Sequence, residues 1–240
     1  LKHVAFVIPG LDRIGGAERQ MLHLADGFAG RGWLVSILAL SGEGVAAAED
    51  LQRAGVRVFT LRMRKGLADP RGWIRMHRWM RRFRPDVVHA HLPHAALMAR
   101  WSRLLAPNRV LIDTIHTSVT GGMARRLGYR ASKWLPDRVS LVGLGSAEAW
   151  ISRRLVKSDR AMVTPNGIDT DAWKPNEESR AALRAQLGLD DEFVWLVAGR
   201  LEPVKGHTVL LDAMALLPVN TRLVIAGSGS LEGALRDRTR

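Results

Sequence analysis

Nine short runs of β-branched and aliphatic residues recur along the chain, at 4–8, 34–40, 56–60, 86–90, 110–115, 139–144, 161–164, 193–198 and 222–226. Stretches with helical spacing separate nearly all of them. Most of the runs are continuously apolar rather than alternating, as expected of parallel strands covered on both faces. Repeated βα units of this kind describe an α/β fold built on an open, doubly wound sheet.

Composition bounds the rest. The 240 residues are 47% hydrophobic and 25% charged, which suits one large or two smaller globular domains and excludes a disordered chain. No run reaches the roughly 20 apolar residues a spanning helix needs. There is no cysteine, which rules out disulfides, thiolate metal sites and thiol nucleophiles and fits a reducing compartment. The opening Leu1-Lys2-His3-Val4 reads as a strand, with no signal peptide visible and no initiator Met before it. A cytoplasmic location is therefore expected.

Pro165-Asn166-Gly167 is a turn signal, and Pro175-Asn176-Glu177-Glu178 has the form of a capped helix start. The expected division is an N-terminal domain at 1–164, a linker at 165–176 and a second domain at 177–240. The first holds about seven of the apolar runs, the second only two. Independently stable sheets need about three strands or more. The second domain is thus expected to be only partly present, cut off at Arg240.

The net charge of +13 is unevenly placed. Residues 60–84 hold nine basic and one acidic side chain, and 122–160 hold nine basic and three acidic. An anionic partner is plausible there: a membrane surface, a phosphorylated ligand or nucleic acid. In 71–84, Trp73, Met76, Trp79, Met80 and Phe83 share one helical arc, with Arg71, Arg75, Arg78 and Arg82 opposite. This helix either covers the sheet with a solvated basic face or meets anionic lipid. No RNA- or DNA-binding motif accompanies the basic blocks, so nucleic acid is not expected.

Four places have the residue types for chemistry. A glycine-bearing loop, 9–19, joins the first strand to its helix; small residues admit a ligand to the backbone, although G-x-G-x-x-G is not met. His89, His91 and His94 follow the fourth strand and His116 the fifth, at the strand ends where open sheets bind ligands. His89 and His91 share a face, but no carboxylate sits at ligand spacing, which weighs against a metal. The loop 199–206 carries Arg200 and Lys205 before a helix, a fork and a point charge that suit a diphosphate. Gly227-Ser228-Gly229-Ser230-Leu231 is a second strand–turn–helix junction. A plain βα loop, structural histidines and solvated cations are the alternatives. Asp169-Thr170-Asp171 matches a metal-binding D-x-D string, but it sits in the expected linker and short strings recur by chance.

Taken in order, G-G-A-E-R at 15–19, P-D-V-V-H-A-H at 85–91, T-I-H-T at 114–117, P-N-G-I-D at 165–169, G-R-L-E-P-V-K-G at 199–206 and I-A-G-S-G at 225–229 resemble the retaining glycosyltransferases of the GT-B fold, the group called family 4. The resemblance implies two Rossmann-like domains facing across a cleft, with a nucleoside-diphosphate sugar as donor and no metal or other cofactor. It assigns Gly15 and Gly16 to the cleft near sugar and diphosphate, and His116 to the active site beside the transferring sugar. Arg200 and Lys205 become the diphosphate clamp, and Gly227, Gly229 and Leu231 neighbours of the nucleobase. Glu18 and His91 would face the cleft without an assigned role. The acceptor would be a glycan or a lipid-linked molecule of the cell envelope, met at the inner face of a membrane. The family's pair of glutamates eight residues apart is absent, so these 240 residues are not expected to turn over alone. A nucleotide-sugar epimerase of the same fold and a non-catalytic binding module are the competing readings.

Overall fold

The computed structural model describes residues 2–43, 55–64 and 69–239. They form two compact units, Leu1–Ile168 and Asp169–Arg240.

The first unit is built on a seven-stranded sheet in the order β3-β2-β1-β4-β5-β6-β7. Its strands are β1 (His3–Ile8), β2 (Leu34–Ala39), β3 (Arg57–Thr60), β4 (Val87–His91), β5 (Val110–Ile115), β6 (Arg138–Leu141) and β7 (Ala161–Val163). Every pairing is parallel. The helices are α1 (Gly16–Ala29), α2 (Pro70–Phe83), α3 (Pro93–Leu105), α4 (Met123–Ser132) and α5 (Leu144–Ser152). Strand order reverses beside β1, so the carboxyl ends of β1 and β4 flank a topological switch point, the place where such sheets bind ligands.

Two cores result. Met21 and Ala25 of α1 pack with Phe6, Ile8 and Ile37 on one face. Met76, Trp79, Leu97, Tyr129 and Trp150, from α2 to α5, cover the other. All six residues of β1 are buried, which is why its apolar run does not alternate. In α2 the core takes Met76, Trp79 and Met80, while Arg71, Arg75, Arg78, Arg81 and Arg82 stay exposed. Asp69 caps this helix by accepting from Gly72 N at 3.1 Å, with Pro70 at its first position.

Two boundaries differ from the sequence reading. β4 runs on through His91, because pairing with β5 continues to His91↔Thr114. β6 ends at Leu141 rather than 144: Gly143 is the cap of α5 and Leu144 its first residue.

The second unit holds β8 (Phe193–Ala198) and β9 (Thr221–Ala226), paired in parallel, with α6 (Glu177–Gln186), α7 (His207–Met214) and α8 (Glu232–Arg238). Asn176 caps α6 through Ser179 N at 2.7 Å. Among the described residues of this unit only Leu201, His207 and Leu235 are buried. Phe193, Trp195 and Leu196 on β8 are 60%, 50% and 65% exposed. Two strands and three short helices leave these side chains without cover.

Candidate active site

In the first unit the chemistry gathers at the carboxyl ends of β4 and β5. His89 and His91 alternate along β4 and so share a face. Their rings lie 4.3 Å apart, and Phe6 packs 5.5 and 5.8 Å from the two. His91 pairs in register with Thr114, which puts Thr114 and the following His116 on the same side of the sheet. His89 Nε2 then shares a hydrogen bond with Thr114 Oγ1 at 2.7 Å, and His91 Nδ1 shares one with His116 Nε2 at 3.1 Å.

Burial sets the protonation of this cluster. It lowers His89 to about 4, His91 well below its ordinary range, and His116 as well, although the Glu18 carboxylate opposes the shift at His116. All three imidazoles are neutral at pH 7, each with one N–H. Inside the His91–His116 pair one nitrogen donates and the other accepts. One N–H therefore remains on the pair, at His91 Nε2 or His116 Nδ1, and both of those atoms are buried without a partner.

Leu92, between β4 and α3, has φ +71° and ψ 152°. A non-glycine residue pays roughly 1–3 kcal/mol for such a conformation, which persists only where its surroundings fix it. Leu92 N donates to Thr114 O at 3.1 Å and Leu92 O accepts from Ala96 N at 3.0 Å. The strain thus stands next to His91.

The loop after β1 ends at Gly15, whose N–H donates to the Glu18 carboxylate at 3.0 Å. Gly15 has an extended backbone open to any residue (φ −101°). Around Gly16 a side chain would meet nothing within 4 Å. Packing within the chain does not explain why Gly16 lacks a side chain. The turn at 165–167 is tied to α1: the Gln20 amide donates to Gly167 O at 2.7 Å and accepts from Gly167 N at 3.1 Å.

In the second unit, the loops after the parallel strands β8 and β9 stand side by side at the carboxyl end of the sheet. Leu201 N donates to Ser228 O, and Leu231 N to Leu201 O, each at 2.9 Å. Gly227 and Gly229 make this approach possible: a Cβ on Gly227 would overlap the Gly199 carbonyl, and one on Gly229 would stand 2.5 Å from Leu201 O. Glu202 accepts from Ser230 Oγ at 2.8 Å, which holds its carboxyl below the usual range. Arg200 and Lys205 are exposed and, among the described residues, neither forms an ion pair or a side-chain hydrogen bond. Gly206 takes the left-handed conformation (φ +69°) that turns this loop into α7.

Asp169 is occupied locally: its Oδ1 accepts from Asp171 N at 3.0 Å and Ala172 N at 3.1 Å. Among the described residues no three His, Cys, Asp or Glu side chains group as a metal site. The pairings Gln20–Gly167 and Glu202–Ser230 had no signal in the sequence, since each joins residues far apart in the chain. The same holds for His207, almost wholly buried with both ring nitrogens unpartnered.

The family model for Glycosyltransferase Family 4 matches residues 14–172, and that for Glycosyl transferases group 1 matches 179–240. A D-inositol 3-phosphate glycosyltransferase of Xylanimonas cellulosilytica is 30% identical over 169 residues, 68% of this chain and 37% of that protein. A phosphatidyl-myo-inositol mannosyltransferase of Mycobacterium leprae is 27% identical over 91% of this chain and 58% of its own length. The crystal structure of Anabaena Alr3699/HepE in complex with UDP superimposes with a TM-score of 0.80 at 21% identity, covering 99% of this chain and 65% of that one. The same protein has been crystallised with UDP-glucose. The chain thus spans between about a third and two thirds of the length of these relatives. It has the GT-B fold, and it belongs to glycosyltransferase family 4.

Proposed function

We propose that this chain serves a retaining glycosyltransferase, which moves a sugar from a nucleoside-diphosphate sugar to an acceptor hydroxyl without a metal. The observation that carries the reading is the pair Arg200 and Lys205. Two exposed cations, neither in an ion pair among the described residues, flank a short loop that leads, through Gly206, into the amino end of α7. That arrangement suits a diphosphate. The UDP and UDP-glucose complexes of Alr3699/HepE support a donor of this class.

The proposed mechanism is electrostatic. Cleavage of the sugar–phosphate bond builds negative charge on the diphosphate and positive charge on the sugar ring. Arg200 and Lys205 stabilise the first. The spare N–H of the His91–His116 pair is offered to the transferring sugar, with His116 the contacting residue. Gly16, open on its outer side, admits the ligand to the backbone, while Gly227, Gly229 and Leu231 shape the base-side loop. Near His116 the carboxylate is that of Glu18, held by Gly15 N; ordinary glycoside hydrolysis needs a pair. Retention by same-face attack needs none.

The acceptor is read as a glycan or lipid-linked molecule of the cell envelope, met at the cytoplasmic face of a membrane. The exposed arginines of α2 support a peripheral contact with anionic lipid.

Mass-spectrometric screening of nucleoside-diphosphate sugars, with the chain carried in a protein of its relatives' length, tests the reading. It expects donor consumption only when an acceptor is present. Free sugar and nucleotide without any acceptor would favour an epimerase of the same fold. Donor binding with no transfer would favour a binding module.

A further inference from the structure

We infer that Ser230 is a positioning residue of the donor site: it holds the Glu202 carboxylate against the base-side loop and so keeps Arg200 and Lys205 free for a diphosphate. The inference rests on the proposed reading of those two cations. Between Phe193 and Leu211 the chain has one acidic residue, Glu202, and two basic ones, Arg200 and Lys205. A tight turn gathers all three: Glu202 N donates to Arg200 O, and Lys205 N donates to Glu202 O, each at 2.9 Å. An acid set between two cations ordinarily pairs with one of them and cancels charge that an anionic ligand would use. Here it does not. Among the described residues neither Arg200 nor Lys205 is in an ion pair.

The carboxylate is turned to the neighbouring loop instead. Its Oε2 accepts from Ser230 Oγ at 2.8 Å, and its Oε1 accepts from Ser230 N at 3.4 Å. The Ser230 hydroxyl, and after it the Ser230 N–H and the Arg200 charge, hold the Glu202 carboxyl below its usual range. Glu202 is thus ionised at neutral pH, close enough to Arg200 to feel its charge, yet bonded elsewhere. The loops do not need this clasp to stay together. Leu201 already joins them, donating to Ser228 O and accepting from Leu231 N, and Gly227 and Gly229 let the two backbones meet. What the Ser230 hydroxyl decides is where one negative charge stands. Glu202 is half-buried and Ser230, Arg200 and Lys205 are exposed, so the effect has the size of a surface ion pair.

The test uses the chain carried in a protein of its relatives' length, as for the donor screen. UDP and inorganic pyrophosphate are titrated by calorimetry, and melting temperature is followed beside them. Ser230→Ala is expected to weaken both probes about threefold to fivefold, because the released carboxylate then pairs with Arg200 or Lys205. Ser230→Thr, which keeps a hydroxyl, should bind like the parent. Glu202→Gln should bind as tightly as the parent or more so, and in that background Ser230→Ala should have no further effect. A purely structural clasp would give a Ser230→Ala loss that persists in Glu202→Gln or follows the melting temperature, and either result overturns the inference. So does unchanged affinity in Ser230→Ala, or a loss for UDP that spares pyrophosphate. Weaker binding in Glu202→Gln would make the carboxylate a ligand contact and overturns it as well. Arg200→Ala separates the two readings. If it abolishes binding while Ser230→Ala does nothing, this inference alone fails. If it binds like the parent, or the parent binds neither probe, the donor reading fails and takes this inference with it.

Discussion

His91 Nδ1 stands 3.1 Å from His116 Nε2, with the two rings stacked 26° from parallel. His91 is fully buried, between Phe6 and the strand that precedes His116. The imidazole at the mouth of the site is therefore held in one orientation by another that no solvent reaches. Because the pair has two N–H groups and one mutual hydrogen bond, it always has one proton to offer. His116→Ala is expected to slow sugar transfer much more than it weakens nucleotide binding, and His91→Phe to slow it as well with little effect on nucleotide affinity. Steady-state kinetics beside UDP calorimetry checks this; parallel loss of binding and rate would return both residues to a structural role.

Arg200→Ala and Lys205→Ala should each weaken binding of a nucleoside diphosphate. A lost charge-assisted contact costs roughly 1.5–3 kcal/mol, or about tenfold to a hundredfold in Kd. Calorimetric titration with UDP measures it. Unchanged affinity in both variants would remove the clamp.

How much of this was legible in the chain depends on range. The nine apolar runs correspond to the nine strands of the described residues; where both faces are covered, as in β1, a strand must be apolar throughout. His116 and Arg200 stood out because strand ends are visible in sequence. Arg100 did not. It is wholly buried, 2.6 Å from Asp113 and with its guanidinium 4.4 Å from the centre of the Tyr129 ring. Its local sequence reads as a helix, and the partner that makes burial tolerable lies on another element. Gly227 and Gly229 could be read as ligand-facing or as packed against a neighbour. Only the adjacent loop, 199–201, shows the packing role.

The glycines separate by experiment. Gly227→Ala and Gly229→Ala push a methyl group into the backbone of the β8 loop, and overpacking of that kind costs about 1–3 kcal/mol. The second unit, in which three of the described residues are buried, should lose stability. Gly16→Ala meets open space and should leave the melting temperature nearly unchanged while weakening donor binding or transfer. A loss of stability in Gly16→Ala equal to that in Gly227→Ala would contradict the distinction.

Acid should unfold the first unit through its histidines. His89 titrates near 6.5 when unfolded and at about 4 when folded. A depressed folded value means the unfolded chain binds the extra proton, so stability is present above about pH 6.5 and is lost as pH falls toward 4. For His89 alone the loss is on the order of 3 kcal/mol. His91 and His116 shift the same way and add to it. Urea unfolding between pH 7 and 4 should show this slope, and His89→Gln should make it shallower by about one proton. An identical slope in the variant would place the acid sensitivity elsewhere.

The central claim is retaining transfer from a nucleoside-diphosphate sugar, and the anomeric proton reports it directly. The sequence is carried in a protein of its relatives' length and given an α-linked donor and an acceptor, and the first product is followed by proton NMR. The account predicts that the new glycosidic signal appears first in the α configuration, in step with nucleoside diphosphate release, and that Arg200→Ala suppresses both. A β-configured first product, or nucleoside diphosphate released with only free sugar beside it, would contradict it.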